Sequence, residues 1–215
     1  MRRRWGFAGL HALALVWAAG GPAIAVAQPV AERPEWKVDD SWSYTTKTER
    51  TGELKSWKRT IVALRPQGGY VVANDAGTTS ELDANFQEEP KDGNLEFKGK
   101  WWRWPLTIGD TWEWTLPVRM QAGNGTQTIS RHVEAYERIK VPAGEFDCLR
   151  IASKRTRMLY DARYMGRPNY SDVRETSTWY CPQIRYVGRE DEVWRDGYGG
   201  LNRTVRELVS YRLGQ

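Results

Sequence analysis

Histidine is almost absent from this chain of 215 residues, and its scarcity limits the chemistry that the protein can perform. His11 lies near the amino terminus, in a segment that we expect to be removed, which leaves His132 alone. Zinc sites built from two or three histidines are therefore excluded. A serine-histidine-aspartate triad could use His132, but no Gly-x-Ser-x-Gly motif presents a serine to it. Because His132 alternates with Val133, we predict that it is a solvent-facing strand residue.

Glycine-rich phosphate loops are missing as well. The sequence has neither a P-loop nor a dinucleotide-binding fingerprint, and it lacks the alternation of strands and helices that surrounds such loops. We therefore predict no cofactor, no metal and no catalytic residues. Acidic clusters keep a glycosidase-like enzyme as a third hypothesis, because two carboxylates are enough for glycoside hydrolysis. These clusters are Asp39-Asp40, Glu88-Glu89 and Glu190-Asp191-Glu192.

Long apolar runs are limited to the amino terminus. The basic residues Arg2-Arg3-Arg4 precede an apolar run over residues 6–19, which is shorter than the roughly 20 residues of a membrane-spanning helix. A small-x-small site, Ala25-Val26-Ala27, follows. This order predicts a signal peptide over residues 1–27, cleaved after Ala27. We expect a periplasmic or secreted protein with no transmembrane segment in its mature chain.

Excess positive charge is also small once the signal is set aside. The whole chain has 32 Lys and Arg against 27 Asp and Glu, a net charge of +5. Removal of Arg2, Arg3 and Arg4 leaves 29 − 27 = +2. The basic residues of the mature chain are scattered among acidic ones, so we predict no nucleic-acid partner.

Cysteine occurs only twice, at Cys148 and Cys181. An even number in an oxidising compartment favours a disulfide. The bond would close a loop of about 34 residues and stabilise the fold by roughly 4 kcal/mol in the chain-entropy model. Free buried thiols are the alternative, and the spacing is not that of a redox-active Cys-x-x-Cys pair.

Alternation of apolar and polar residues is the strongest positive signal in the chain. It is clearest where Trp112, Trp114, Leu116, Val118 and Met120 alternate with polar or small neighbours. We predict a long hairpin with its tip at Gly123-Asn124-Gly125, returning through Val141.

Further alternating segments predict a protein that is nearly all β. We place a polar lead-in at residues 28–39 and a single antiparallel β domain at 40–215, with one short helix allowed near Ser80–Glu89. Short turns between successive strands favour a curved antiparallel meander that forms a partly open barrel. A two-sheet β-sandwich is the alternative.

Tryptophans cluster at Trp101, Trp102 and Trp104, just before the predicted hairpin. Adjacent residues of an extended chain point to opposite sides, so Trp101 or Trp102 should face a surface or groove. Indole rings suit sugar rings or acyl chains. We therefore name Trp101, Trp102 and Trp104 as candidate ligand-binding residues.

Several phrases occur together in the last two thirds of the chain. They are Trp104-Pro105-Leu106 with Gly109-Asp110-Thr111-Trp112, Val141-Pro142-Ala143-Gly144-Glu145-Phe146, and Thr178-Trp179-Tyr180-Cys181-Pro182. In this order they resemble a broad group of exported bacterial domains of uncharacterised function. The resemblance implies an antiparallel β architecture in the periplasm, with no established catalytic residues.

Three functional hypotheses follow from these features. The first is a non-enzymatic periplasmic protein that binds or supports an envelope component, with an apolar or lipid ligand on a concave sheet face. The second is a carbohydrate- or peptidoglycan-binding module that stacks sugars on exposed tryptophan. The third is the two-carboxylate enzyme. The partner is expected to be a lipid, glycan or protein of the envelope.

Overall fold

The computed structural model describes residues 29–87, 101–120, 123–160 and 168–215, and the regular structure there is almost entirely β. One 3₁₀ turn, Pro182–Ile184, is the single helical element among these residues. The strands are β1 Val30–Ala31, β2 Ser41–Thr48, β3 Leu54–Leu64, β4 Tyr70–Asn74, β5 Thr79–Leu82, β6 Leu106–Thr107, β7 Thr111–Met120, β8 Gly123–Val141, β9 Gly144–Tyr160, β10 Pro168–Cys181, β11 Tyr186–Arg195 and β12 Leu201–Arg212.

Ten of these strands form one open sheet in the order β5-β4-β3-β2-β12-β11-β10-β9-β8-β7. Every neighbouring pair is antiparallel. The sheet is thus two meanders, β2 to β5 and β7 to β12, joined where β12 pairs with β2. The predicted all-β meander is confirmed, and the sheet does not close because β5 and β7 remain at its edges.

Curvature of the sheet follows from which residues share a cavity. Tyr44 on β2 and Arg131 on β8 line the same cavity of about 220 Å³. Four strands lie between β2 and β8 in the sheet. In a flat sheet, with strands roughly 4.8 Å apart, Tyr44 and Arg131 would be about 24 Å apart. Their common face is therefore concave. We call it the inner face and the opposite one the outer face.

The segment before β7 lies against the inner face. Its β6 pairs with β1, so Val30–Ala31 and Leu106–Thr107 form a small second sheet. Ala31 and Leu106 are buried with Trp112, Val133, Leu149 and Ile151 in one apolar cluster. The polar lead-in predicted at 28–39 therefore contributes β1 to the fold, and its Trp36 is 3% exposed.

A second apolar cluster occupies the end of the molecule where β9 begins and β10 ends. It contains Trp36, Trp42, Tyr44, Ile61, Phe86, Phe146, Ile184 and Leu208 together with both cysteines. Cys148 and Cys181 form a disulfide, as predicted, between the adjacent strands β9 and β10. We call this region the disulfide end.

Two local predictions are wrong. The helix expected near Ser80–Glu89 is not formed by the residues described there, because β5 runs to Leu82 and a turn follows it. Pairing with β4 outweighs the weak helical pattern.

The hairpin tip also differs from the prediction. Met120 pairs with Gly123 and Arg119 with Asn124, so the first two residues of Gly123-Asn124-Gly125 already belong to the paired strand. Gly125 pairs with Val118. A Cβ atom there would collide with the Met158 carbonyl oxygen of β9. This glycine therefore serves a close approach of two strands rather than a turn.

Candidate functional site

Three adjoining cavities occupy the middle of the inner face, and Glu190 lines all of them. Their volumes are about 220, 250 and 180 Å³. The first and third share Trp101 and Arg131, and the second and third share Arg174 and Glu192. We treat these cavities together as the candidate site and call them the inner site.

The first cavity of the inner site has an aromatic lining. Trp57 of β3, Phe86, Trp101 and Trp102 contribute rings, and Tyr44 lies at the wall. Tyr44 and Trp57 stack with ring centroids 4.5 Å apart. Burial raises the pKa of Tyr44, so its hydroxyl stays neutral and donates to the Val187 carbonyl at 2.7 Å. This part of the site offers apolar rings at fixed positions.

Arg131 of β8 is the most deeply buried cation of the inner site, at 7% exposure. Its guanidinium carbon lies 5.3 Å from the Trp101 ring centroid and 5.4 Å from that of Trp102. Its Nη1 donates to the Trp101 carbonyl oxygen, while its buried Nε has no hydrogen-bond partner. Burial lowers the pKa of Arg131 to about 10. The side chain is therefore still a cation at neutral pH.

Arg155 and Arg174 complete a group of three arginines around the third cavity. They are directly opposite each other on β9 and β10. Each has a buried Nε without a hydrogen-bond partner, as Arg131 has. Burial, and after it the neighbouring charge of Arg174, lowers the pKa of Arg155. Like charges facing each other across a strand pair are destabilising, so the fold holds these cations together at a cost.

Carboxylates offset only part of this positive charge. Glu192 accepts a hydrogen bond from Arg174 Nη1 at 3.0 Å, and Glu190 forms an ion pair with Arg206. Among the described residues that line the three cavities there are five arginines and two carboxylates, 5 − 2 = 3 positive charges in excess. The arginines are Arg59, Arg131, Arg155, Arg174 and Arg206, and the carboxylates are Glu190 and Glu192.

Asp172 lies just outside the cavities and is fully buried, with no exposed side-chain surface. Its carboxylate is shared between Arg157, whose Nε donates at 2.7 Å, and Arg155, whose Nη2 is 3.5 Å away. Because Arg157 takes the shorter contacts, Arg155 is only weakly neutralised. The inner site is therefore a shielded, positively charged region that suits an anion.

The tryptophans named from the sequence lie at the inner site or beside it. Trp101 and Trp102 line the first cavity, and both are half-buried. They contact the same arginine because residues 101–103 are not extended as a strand. Trp104 does not line the cavities; it stacks on Trp102 and packs edge-on against Tyr180. A ligand-binding role for these three residues stays a prediction.

The acidic clusters named from the sequence do not form a common site among the described residues. Asp40 is buried and accepts hydrogen bonds from the backbone N–H groups of Lys37 and Gly214 and from Arg185, so it holds the chain terminus in place. Glu88 and Glu89 lie outside the described residues. Glu190 and Glu192 belong to the inner site, whereas Asp191 pairs with Arg189 on the outer face.

A larger cavity, of about 850 Å³, is an open groove on the outer face of the described sheet. Its side chains include Glu113, His132, Lys154 and Glu175, all of which are exposed. Water can solvate these groups, so nothing in the groove demands a ligand. The predicted solvent-facing position of His132 is confirmed.

Sequence reasoning missed the arginines of the inner site. A signal for them exists: Arg131 interrupts the apolar alternation of Ile129 and Val133, which are both fully buried. A cation between two buried aliphatic positions on one strand face indicates either a buried ion pair or a ligand site. Arg155 and Arg174 could be added to it only through the strand register.

Metal and membrane sites give no further lead. No group of three or more histidine, cysteine, aspartate or glutamate side chains suited to a metal ion occurs among the described residues. Within the same part of the chain, no helix has the length and apolar character needed to span a membrane.

Comparisons with known proteins identify no family. No family model matches the chain, and no curated protein matches it. Among solved structures it is similar to a candidate lipoprotein from Parabacteroides distasonis, with a TM-score of 0.48 and 15% identity over 86% of this chain and 100% of the other. A candidate exported protein with a YmcC-like fold from Bacteroides fragilis gives a TM-score of 0.44 and 15% identity, covering 85% and 99% of the two chains. The hypothetical lipoprotein YmcC from Escherichia coli gives 0.42 and 8%, covering 80% and 84%.

Proposed function

We propose that the protein is a non-enzymatic binding protein of the periplasm that holds a component of the cell envelope in the inner site. The observation that carries this proposal is the set of three adjoining cavities on the concave face, lined by aromatic rings and by an excess of arginines. Rings and cations at fixed positions suit binding. The contact between the Thr178 hydroxyl and the Glu190 carboxylate is long, at 3.5 Å, and Glu190 is already paired with Arg206.

The location rests on two features. The Cys148–Cys181 disulfide is of a kind that persists outside the reducing cytoplasm. The basic, apolar and small-residue segments of residues 1–27 supply an export signal. Together they support a periplasmic protein, and a secreted one would need the same two features.

The ligand has both an apolar and a polar part in this proposal. An apolar or lipid ligand was the expectation from sequence, and Arg131, Arg174 and Glu190 occupy the middle of the concave face. Burying an apolar chain against unneutralised cations would desolvate them without compensation. An amphiphile matches this mixed lining, in which the guanidinium carbon of Arg59 lies 5.8 Å from the Trp57 ring centroid and 5.4 Å from that of Phe86.

A carbohydrate of the envelope is the second candidate. Trp101 favours it, because this residue lines two of the three cavities and is half-buried, so part of its ring faces the space a ligand would fill. Trp102 is less suited to stacking, since Trp104 covers its ring at a centroid distance of 5.4 Å and an interplanar angle of 12°.

Titration of tryptophan emission tests the proposal. Short-chain phospholipids should quench or shift the emission of the wild-type protein, and the response should fall in Trp101→Ala. Trp179→Phe is the matched control, because Trp179 lies outside the cavities and donates to Glu137 at 2.6 Å. A response to peptidoglycan fragments alone would favour the carbohydrate candidate. No response to either class, or turnover of any of these compounds, would contradict the proposal.

A further inference from the structure

We infer that the ligand of the inner site carries a phosphoryl group, bound by Arg131, Arg155 and Arg174. This inference rests on the proposed function and specifies its ligand. These three side chains share a cavity, and each has a buried Nε–H group without a hydrogen-bond partner.

Burial comes first. Arg131 is 93% buried and forms no ion pair with a carboxylate among the described residues. A cation removed from water is costly unless an anion lies beside it. Its contacts with Trp101 and Trp102 through their rings, and with the Trp101 carbonyl oxygen, offset part of this cost only. Against the effect of burial, Glu190 is near enough for its charge to raise the pKa of Arg131, but it is paired with Arg206. An anion in the adjoining cavity would therefore supply a direct partner.

The hydrogen-bond donors point to the same place. Arg131, Arg155 and Arg174 each have a buried Nε–H group without an acceptor, and all three line the 180 Å³ cavity. Each buried donor left without a partner destabilises the folded protein. Three N–H groups around one cavity therefore lack hydrogen-bond acceptors. An oxyanion with several oxygen atoms could accept from more than one of them.

Charge then selects the class of oxyanion. The described lining residues of the three cavities together carry three positive charges in excess, and the 180 Å³ cavity alone has three arginines and two glutamates, 3 − 2 = 1. A phosphate monoester carries about −1.5 to −2 charges at neutral pH and three acceptor oxygens. Arginine forks bind phosphate oxygens in pairs. A phosphoryl group therefore offsets more of the excess over the three cavities than a carboxylate would, and its three oxygen atoms equal in number the three arginine Nε–H groups without partners.

The lining of the cavities is compatible with two classes of ligand that carry a phosphoryl group. Trp101 and Arg131 line both this cavity and the larger one beside Trp57 and Phe86. The remainder of a phosphorylated ligand can extend from one to the other. An acyl glycerol phosphate and a sugar phosphate share the phosphoryl chemistry and differ only in what meets the aromatic rings.

Inorganic phosphate is the first probe. Calorimetric titration of the wild-type protein with inorganic phosphate should give saturable binding, and phosphate should raise the midpoint of thermal unfolding. In Arg131→Met the affinity for phosphate should fall by about 30-fold or more. Arg131→Lys keeps the charge but loses the fork, so its affinity should lie between the two.

The unfolding midpoint without phosphate separates a binding role from a structural one. If Arg131 is present for binding, Arg131→Met without ligand should be as stable as the wild type or more stable, because a buried unneutralised cation is removed. Arg138→Met is the matched control, since Arg138 is exposed, is bonded to Asp147 and does not line the three cavities. It should bind phosphate as the wild type does. Arg155→Met provides the same test should Arg131→Met fail to fold.

The source of the phosphoryl group is resolved by paired compounds. Short-chain phosphatidic acid is compared with the matching diacylglycerol, and glucose 6-phosphate with glucose. In one of the two pairs the phosphorylated member should bind more tightly than inorganic phosphate, and removal of its phosphate should abolish binding.

Three results would overturn the inference. Wild-type protein that binds diacylglycerol or glucose as tightly as the phosphorylated partner would leave the proposed function standing and refute the phosphoryl group. Phosphate affinity that is unchanged in both Arg131→Met and Arg155→Met would refute the assignment of the site. Binding of none of these compounds would contradict the inference and, together with a silent tryptophan titration, the proposed function.

Discussion

The disulfide end and the inner site lie on the same sheet but differ in whether their buried N–H groups have hydrogen-bond acceptors. At the disulfide end the buried indole N–H groups of Trp36 and Trp42 donate to the carbonyls of Arg185 and Ile184 at 2.7 and 2.8 Å. At and around the inner site, the indole N–H groups of Trp104 and Trp114 and three arginine Nε–H groups are buried without partners.

This contrast separates stability from binding. Buried polar groups in proteins are almost always satisfied, so a cluster of exceptions requires an explanation. The disulfide end can offset the cost of the cluster, because it combines a cross-link with a dense set of aromatic contacts, among them Trp36 stacked on Phe86 at 4.4 Å. We interpret the disulfide end as the part that stabilises the fold and the inner site as the part that is left incomplete until a ligand binds.

Trp42→Ala is expected to have the largest effect. Trp42 has no exposed surface and its ring packs near Phe86 and Tyr186. The free energy of unfolding should fall by about 3–5 kcal/mol, because a large side chain is lost and a cavity remains. Chemical denaturation measures this, and Trp42→Phe, which keeps a ring but loses the bond to the Ile184 carbonyl, should cost clearly less. Equal losses in the two variants would show that packing does not dominate at this end.

Removal of the disulfide should rank second. Cys148 and Cys181 are separated by 33 residues in the sequence. In the chain-entropy model, the double variant Cys148→Ala, Cys181→Ala should lose up to about 4 kcal/mol of unfolding free energy. Thermal unfolding of the oxidised wild type, the reduced wild type and the double variant gives the comparison. A reduced protein as stable as the oxidised one would show that the disulfide does not stabilise the fold.

Asp172→Asn should cost about 3 kcal/mol, because it leaves Arg155 and Arg157 without their shared carboxylate. The loss is not larger because these two side chains keep 19% and 17% exposure. The inner site should also gain affinity for phosphate, since Arg155 becomes less neutralised. Denaturation measures the first effect and calorimetric titration the second. Unchanged phosphate affinity in this variant would show that Asp172 and Arg155 do not influence phosphate binding.

The smallest effect compares one chemical change in the two regions. Trp36→Phe removes an N–H that donates to the Arg185 carbonyl, and Trp114→Phe removes one that has no partner. The first should lose about 1–2 kcal/mol of unfolding free energy, and the second should change it by less than about 1 kcal/mol or raise it. Similar losses in both variants would contradict the contrast between the regions.

Much of the fold could be predicted because alternation is a local property. The alternation of Trp112, Trp114, Leu116, Val118 and Met120 predicted a strand, and β7 spans Thr111–Met120. The pairing of β12 with β2 could not be predicted, since it joins segments more than 150 residues apart and depends on the curvature of the whole sheet. The hairpin tip was misplaced because Gly123-Asn124-Gly125 is typical of a turn. Gly125 is instead required by the close approach of β9.

The inner site was predictable in part. The cluster of Trp101 and Trp102 was visible in the sequence, and both residues line the cavity. The arginines were not, because Arg131, Arg155 and Arg174 come together only when β8, β9 and β10 are in register. A charged side chain in an alternating pattern reads as solvent-facing unless the two buried residues beside it on the same face are considered, as with Ile129 and Val133 around Arg131.

The most direct test of the account observes the arginine Nε–H groups themselves. Their side-chain resonances can be followed by nitrogen-proton NMR while inorganic phosphate is added, with Arg138 as the exposed reference. The account predicts that the resonances of Arg131, Arg155 and Arg174 shift together along one binding curve, while that of Arg138 stays in place. Shifts of equal size at Arg138, or none at the three arginines of the inner site, would contradict it.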